Sequence, residues 1–170
     1  MVRTTYLEIT SKAQWIRRSR PETGLDIREC LVKQPQFNRF LYEYIGRDWK
    51  WTFRLSWSPE RWNAYASAEN LRTFVAYQGG SIAGYYELRR DEDGVEIRIL
   101  GLAPGFIGRG HGGPLLDHAI ETAFGWGASR VWLHTCTDDH QNALNNYCKS
   151  GFAIFKVENE TADESSASAG

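Results

Sequence analysis

The sequence predicts an α/β (α+β) domain: a mixed, mostly antiparallel sheet with one parallel central pair, flanked by helices. Three observations lead there. Three strand-like runs, residues 71–77, 81–88 and 95–103, follow one another across two short turns, one at Gln78, Gly79 and Gly80 and one at residues 91–94. That order gives an antiparallel meander. A helix-period segment, residues 112–124, then separates the third run from a fourth at 130–135, so those two strands are free to lie parallel. Finally, 170 residues with 42% hydrophobic content suit a single domain around one core.

Each element has a local reason. Residues 6–9 alternate and form a short strand, 11–15 a helical turn. Residues 17–24 are charged and hold Pro21 and Gly24, so they form a loop. The alternation over 25–32 predicts a second strand. Pro35 opens a helix to residue 45, with Phe37, Phe40, Leu41, Tyr44 and Ile45 on one face and Gly46 ending it. Residues 48–57 are an aromatic-rich connector. Ser58 then reads as an N-cap, with Pro59 at the first helical position and Glu60 in the first turn. That helix carries Trp62 and Tyr65 and stops near Asn70. The 112–124 helix recurs in Leu115, Leu116, Ala119, Ile120 and Ala123. A last helix covers 141–149 and a last strand 152–157. Beyond it the chain is Ser-, Ala- and acid-rich with no apolar pattern. The domain is therefore 1–158, with a flexible tail at 159–170.

Composition narrows the function. A formal net charge of −1 disfavours a nucleic-acid or anionic-membrane partner. Three cysteines, Cys30, Cys136 and Cys148, suit a reducing compartment better than a disulfide framework. The first residues include Arg3 and Glu8 without an apolar stretch, which is not a signal peptide, and no run is long enough to span a membrane. These features predict a cytoplasmic protein.

The turn between the third strand and the long helix holds Gly105, Gly108, Gly110, Gly112 and Gly113. A glycine turn feeding a helix N-terminus presents unpaired backbone N–H groups at the positive end of the helix dipole, which is a phosphate site. Two phosphate-binding patterns compete for it. From Gly108 the spacing fits the dinucleotide pattern G-x-G-x-x-G, but the next strand ends in His134 and Thr135 rather than an acid, and no second βαβ half follows. A Walker loop is excluded because no Gly-Lys-Ser/Thr occurs.

The run P-x-x-x-G-R-G-x-G-G-x-L-L, from Pro104 to Leu116, resembles the acetyl-CoA loop of the GNAT N-acetyltransferase superfamily, whose core is Arg/Gln-x-x-Gly-x-Gly/Ala. Gly110 and Gly112 match the two small positions. Ile107 stands where Arg or Gln is usual, which removes a polar contact but not the backbone cradle. Downstream, A-x-x-x-Y-x-x-x-G-F, from Ala143 to Phe152, resembles the family's second motif. The element order agrees.

The resemblance implies direct transfer of an acetyl group from acetyl-CoA to the amine of a small molecule or peptide, without a resident metal. Ile107, Gly108, Arg109, Gly110, His111, Gly112 and Gly113 would hold the diphosphate. Gly101, inside its strand, suggests a bulge or a close backbone approach, and in the family such a bulge would let the pantetheine arm enter between the parallel strands, against backbone groups of Leu102 and Ala103. Ala143 and His140, the latter where many relatives carry asparagine, would contact the arm. Tyr147 would protonate the leaving thiolate, since a phenol with a pKa of about 10 suits that task. Glu96 is the candidate base, on one strand face with Arg98, Leu100 and Leu102, and His134 competes with it. Trp49, Trp51, Trp57 and Trp62 would line the acceptor pocket, with Asp48, Arg54 and Arg61 supplying polar selectivity. The stretch from His134 to His140, with Cys136, matches no paired zinc spacing, and Asp138 or Asp139 serves better as a helix cap. Cys136 and Cys148 have no evident paired base, so an acyl-enzyme is not expected. A homodimer would follow relatives. Two rival readings remain: a catalytically silent acyl-CoA-binding module of this fold, and a dinucleotide-binding oxidoreductase.

Overall fold

The computed structural model describes residues 1–18, 23–139 and 142–160. In chain order these form β1 (Val2–Ile9), a 3-10 turn (Lys12–Gln14), β2 (Asp26–Glu29), α1 (Pro35–Gly46), α2 (Pro59–Ala66), β3 (Leu71–Gln78), β4 (Ser81–Asp91), β5 (Gly94–Leu102), α3 (Gly112–Gly125), β6 (Val131–Cys136), α4 (Ala143–Lys149) and β7 (Ala153–Glu160). The mixed architecture and the order are those expected. The last strand runs to Glu160, past its expected end at residue 157. Residues 161–170 of the expected tail lie outside the described residues. No described helix is long and apolar enough to cross a membrane.

The seven strands form one sheet in the order β2-β3-β4-β5-β6-β1-β7. Strands β3, β4 and β5 are the antiparallel meander, and β5 pairs with β6 in parallel. The N-terminal β1 inserts between β6 and β7, antiparallel to both. The α3 side carries the larger core, with Leu7, Ile9, Leu88, Val95, Leu115, Ile120 and Val131 fully buried. The opposite side is covered by α1, α2 and the aromatic connector.

The parallel pair is short, and this positions the site. Its register covers only Val95 with Val131 and Glu96 with Trp132. The strands start together because Gly94, at φ 128°, lets the Arg130 carbonyl lie where a Cβ would be, and Val95 N–H donates to that carbonyl at 2.9 Å. They then part. The β4–β5 register shifts between Glu87 and Leu88, which face Ile99 and Ile97, leaving Arg98 as the extra residue. A bulge of this kind bends its strand and breaks the ladder.

The bulge is thus at Arg98, not at Gly101. It also overturns the expected alternation. Val95 and Ile97 pack under α3, and after the extra residue so do Leu100 and Leu102, whereas Ile99 packs on the α1 and α2 side. Glu96 therefore does not share a face with Leu100 and Leu102. What approaches Gly101 is a side chain rather than backbone: a Cβ there would come within 2.7 Å of the Trp51 ring.

Helix α1 is rotated from its expected packing. Its buried residues are Asn38, Leu41, Tyr42, Ile45 and Gly46, while Phe40 and Tyr44 stack on each other at the surface. The cause is polar. Asn38 donates to Thr73 Oγ1 at 2.8 Å, and the Tyr42 hydroxyl accepts the Arg54 N–H at 3.2 Å. Two polar residues were drawn inward by partners that apolar periodicity does not register. Helix α2 begins as expected, with Ser58 Oγ accepting the Arg61 N–H at 3.1 Å, but ends at Ala66.

Candidate functional site

A cavity of about 1310 Å³ follows the divergence of β5 from β6. The glycine turn forms one end, α4 one wall, and the 48–57 connector the opposite side. Gly105, Gly108 and Gly110 have φ between 81° and 85° with open space beside them, so glycine serves backbone conformation there rather than close packing. Among the described residues, no hydrogen-bond acceptor meets the backbone N–H groups from Ile107 to Gly113. The first bond of α3 runs from Leu115 N–H to the His111 carbonyl at 3.0 Å. Orphan amides and the helix dipole thus converge at the cavity end, an arrangement suited to a phosphate.

The structure sorts the expected cofactor residues. Ile107, Gly108, Gly110, His111, Gly112, Gly113 and Ala143 line the cavity. Arg109 does not, because its guanidinium sits 5.5 Å from the Phe106 ring centroid. Leu102 lines the cavity, and its carbonyl accepts the Trp49 indole N–H at 3.2 Å. The Ala103 N–H is turned to the meander instead, donating to the Ala83 carbonyl at 2.8 Å, so it does not face the gap. His140 lies outside the described residues.

Tyr147 lines the cavity from α4, with its ring edge-on to Phe152 at 6.1 Å. Burial, and then the Asp139 carboxylate, raise its phenol above the ordinary value. The hydroxyl has no hydrogen-bond partner among the described residues. Asp139 does not cap α4. It turns back to accept the Cys136 N–H at 2.7 Å and the Thr135 hydroxyl at 2.6 Å, and Asn142 takes the N-cap position of α4 without a side-chain capping bond.

On the α1 side, β5 and β6 bring Glu96 and His134 together, with His134 Nδ1 3.8 Å from Glu96 Oε1. That is too long for a hydrogen bond. Glu96 is 3% exposed and also meets Arg98 at 3.4 Å, while His134 opens to the cavity. Tyr6, opposite His134 on β1, donates to Glu158 Oε2 at 2.7 Å. Burial, followed by this hydrogen bond, pushes the Tyr6 phenol up to about 12. Among the described residues no three His, Cys, Asp or Glu side chains converge as a metal site would require.

The tryptophans divide. Trp49 and Trp51 line the cavity. Trp57 and Trp62 do not, being 7% and 2% exposed around Arg54. Arg54 is enclosed by four aromatic rings and pairs with Glu87 at 3.1 Å. Tyr65 donates its hydroxyl proton to Glu87 as well. This buried cluster fastens the connector to β4. Sequence reasoning missed it, because Arg54 read as a polar group for the acceptor pocket and Glu87 as an ordinary strand residue. It also missed a strap, residues 14–18, across α3 and α4. There Asp117 accepts the Trp15 indole N–H at 3.0 Å and the Arg18 N–H at 2.8 Å, and Ile16 N–H donates to the Ser150 carbonyl at 3.0 Å. Contacts about a hundred positions apart leave no local pattern.

Comparison with known proteins agrees with this geometry. Over 98 residues the chain is 37% identical to an uncharacterized N-acetyltransferase of Mycobacterium tuberculosis, covering 57% of this chain and 62% of that protein. A mycothiol acetyltransferase of Corynebacterium aurimucosum is 27% identical over 154 residues, 77% of this chain and 49% of that one. The chain thus spans less than two-thirds of these curated relatives. A GCN5-related N-acetyltransferase from Sphaerobacter thermophilus shares the fold with a TM-score of 0.71 at 18% identity, over 92% of this chain and 49% of that structure. The sequence profile of the Acetyltransferase (GNAT) family matches residues 38–152, and on that match the chain belongs to the GNAT family of acetyltransferases.

Proposed function

We propose that the protein transfers an acetyl group from acetyl-CoA directly to the amine of a small molecule. The observation that carries this reading is the wedge between β5 and β6, closed at Gly94 and open toward a glycine turn whose amides from Ile107 to Gly113 have no partner among the described residues. A diphosphate fits those amides, and an extended arm fits the widening gap beside the Leu102 carbonyl. The donor's thioester would then lie between Tyr147 on one wall and the Glu96–His134 pair on the other.

Each group has a task. The attacking amine must be neutral, and its proton passes toward His134, which faces the cavity, with Glu96 behind it as the stabilising carboxylate. The nitrogen then bonds to the thioester carbon, the carbon–sulfur bond breaks, the sulfur leaves as a thiolate, and the further proton that the nitrogen sheds on becoming an amide neutralises that thiolate. Tyr147 meets that thiolate. An ordinary thiol has a pKa near 8.5, below the raised phenol, so complete proton transfer from Tyr147 is uphill by about 2 kcal/mol or more. Tyr147 therefore acts chiefly as a hydrogen-bond donor to the developing charge. Burial, and then the Asp139 carboxylate, raise the Cys136 thiol, so this cavity-lining cysteine stays protonated and is a poor nucleophile. Trp49 and Trp51 would bound the acceptor.

Calorimetry with CoA and a thiol-release assay over a panel of amines test the proposal. CoA should bind, and at least one amine should release thiol from acetyl-CoA. Absence of CoA binding would end the coenzyme reading. Binding with no thiol release from any amine would leave a silent acyl-CoA module. Tyr147→Phe should lower kcat roughly 100-fold while CoA affinity holds; an unchanged kcat would remove Tyr147 from the reaction.

A further inference from the structure

Arg18 lines the same cavity as Gly108, Gly110 and Gly112, although it comes from the strap between β1 and β2. Its position is fixed from two sides. Its N–H donates to Asp117 at 2.8 Å, and Asp117's other oxygen holds Trp15 at 3.0 Å, so both oxygens of this 2% exposed carboxylate serve the strap. Its side-chain stem passes Gly113, where an added Cβ would come within 3.5 Å of Arg18 Cβ. The guanidinium gives one hydrogen bond, to the Asn146 carbonyl at 3.2 Å. A guanidinium has five N–H donors in a planar fork, so most of its hydrogen-bonding capacity is uncommitted among the described residues.

Among the described residues, the other arginines at this cavity are engaged elsewhere, while Lys50 and Lys149 line it from the connector and α4. Arg109, within the turn, lies on Phe106. Arg54 and Arg98, also on the cavity wall, are paired with Glu87 and Glu96. Ile107 brings no polar group where the turn begins. We infer that Arg18 is a coenzyme-binding residue: its guanidinium supplies the diphosphate with the full positive charge that the turn offers only as backbone dipoles. This rests on the coenzyme reading above. The strap holds a cation beside the first turn of α3 in advance, so little ordering remains when the anion arrives.

The test separates charge from structure with two probes, CoA and acetyl-pantetheine, which lacks the diphosphate. Arg18→Gln should weaken CoA roughly ten-fold or more and leave the KM for acetyl-pantetheine unchanged. Arg18→Lys, which keeps the charge and gives up the fork, should lose less. Wild-type affinity for CoA should fall with added salt more steeply than that of Arg18→Gln. If Arg18→Gln binds CoA as wild type does, the assignment is wrong and the coenzyme reading stands. If both probes weaken equally, the strap is structural and the assignment is again wrong. If wild type binds no CoA, the coenzyme reading itself has failed.

Discussion

Arg54 and Glu87 show how a charge reads differently in a sequence and in a fold. Each is nearly inaccessible, and they meet at 3.1 Å inside a ring of Tyr42, Trp57, Trp62 and Tyr65. Burial is the largest single influence and works against the Arg54 charge, but the Glu87 carboxylate together with the neighbouring Tyr65 and Tyr85 phenols raises the guanidinium above its ordinary value. Removing one member strands the other in a low-dielectric site. Glu87→Gln should therefore lower unfolding free energy by about 3–5 kcal/mol, read from urea denaturation. The paired change Arg54→Met with Glu87→Met should restore most of that loss, and a double variant as unstable as the single would refute the account. Legibility at this scale followed backbone chemistry. Gly108, Gly110 and Tyr147 were readable because a turn and a motif fix them at set spacings. Arg54, Glu87 and Arg18 were not, since their roles depend on partners from distant elements. Trp57 and Trp62 failed for a related reason: four tryptophans close together in sequence gave no sign of which would wrap an arginine.

Between elements, the contact of Trp51 with α1 and β5 sets the connector side of the cavity, where the proposal places the acceptor. A Cβ at Gly46 or at Gly101 would come within 2.6 or 2.7 Å of its indole, so the ring is seated on two bare backbones. Lys50 adopts φ 58° just before it, which turns the chain so that Trp51 points inward. The element order and the parallel pair were legible, because hydrophobic period and turn residues are local. The bulge was not. Arg98 is an ordinary strand residue in sequence, and its extra position appears only against β4. Gly101 signalled that something approached closely, without saying what. Gly101→Ala should push Trp51 off its seat, lowering stability by about 1–3 kcal/mol and raising the acceptor KM more than the acetyl-CoA KM. An acceptor KM unchanged in a stably folded variant would show that Trp51 does not bound the acceptor.

For the molecule as a whole, the strand order was the least legible feature, because the insertion of β1 between β6 and β7 is a long-range pairing with no local signal. One consequence is that the sheet has two open edges, and the β2 edge leans on an ion pair. Arg72 grips Glu29 through two bonds, 2.7 and 2.9 Å, across the β2–β3 pair. This fork, more than any other influence, holds the Glu29 carboxyl below its usual range. On the sheet-facing side of α3, His118 Nδ1 hydrogen-bonds with the Tyr86 hydroxyl at 2.8 Å, and burial keeps its imidazole below the ordinary value. Both groups bind fewer protons folded than unfolded, so both make stability fall as the solution is acidified. They act in different windows. His118 withdraws stability as pH drops below about 6.5, where the unfolded chain takes up a proton that the folded one resists. The Glu29 contribution is complete above about 4.3 and is lost as pH falls through its lowered folded value. The urea midpoint should therefore decline in two stages between pH 7 and pH 3. His118→Gln should flatten the first stage. Glu29→Gln should reduce the second and lower neutral-pH stability by about 1 kcal/mol. A first stage that persists in His118→Gln would assign the upper titration to another group and leave α3 without a pH-sensitive contact to the sheet.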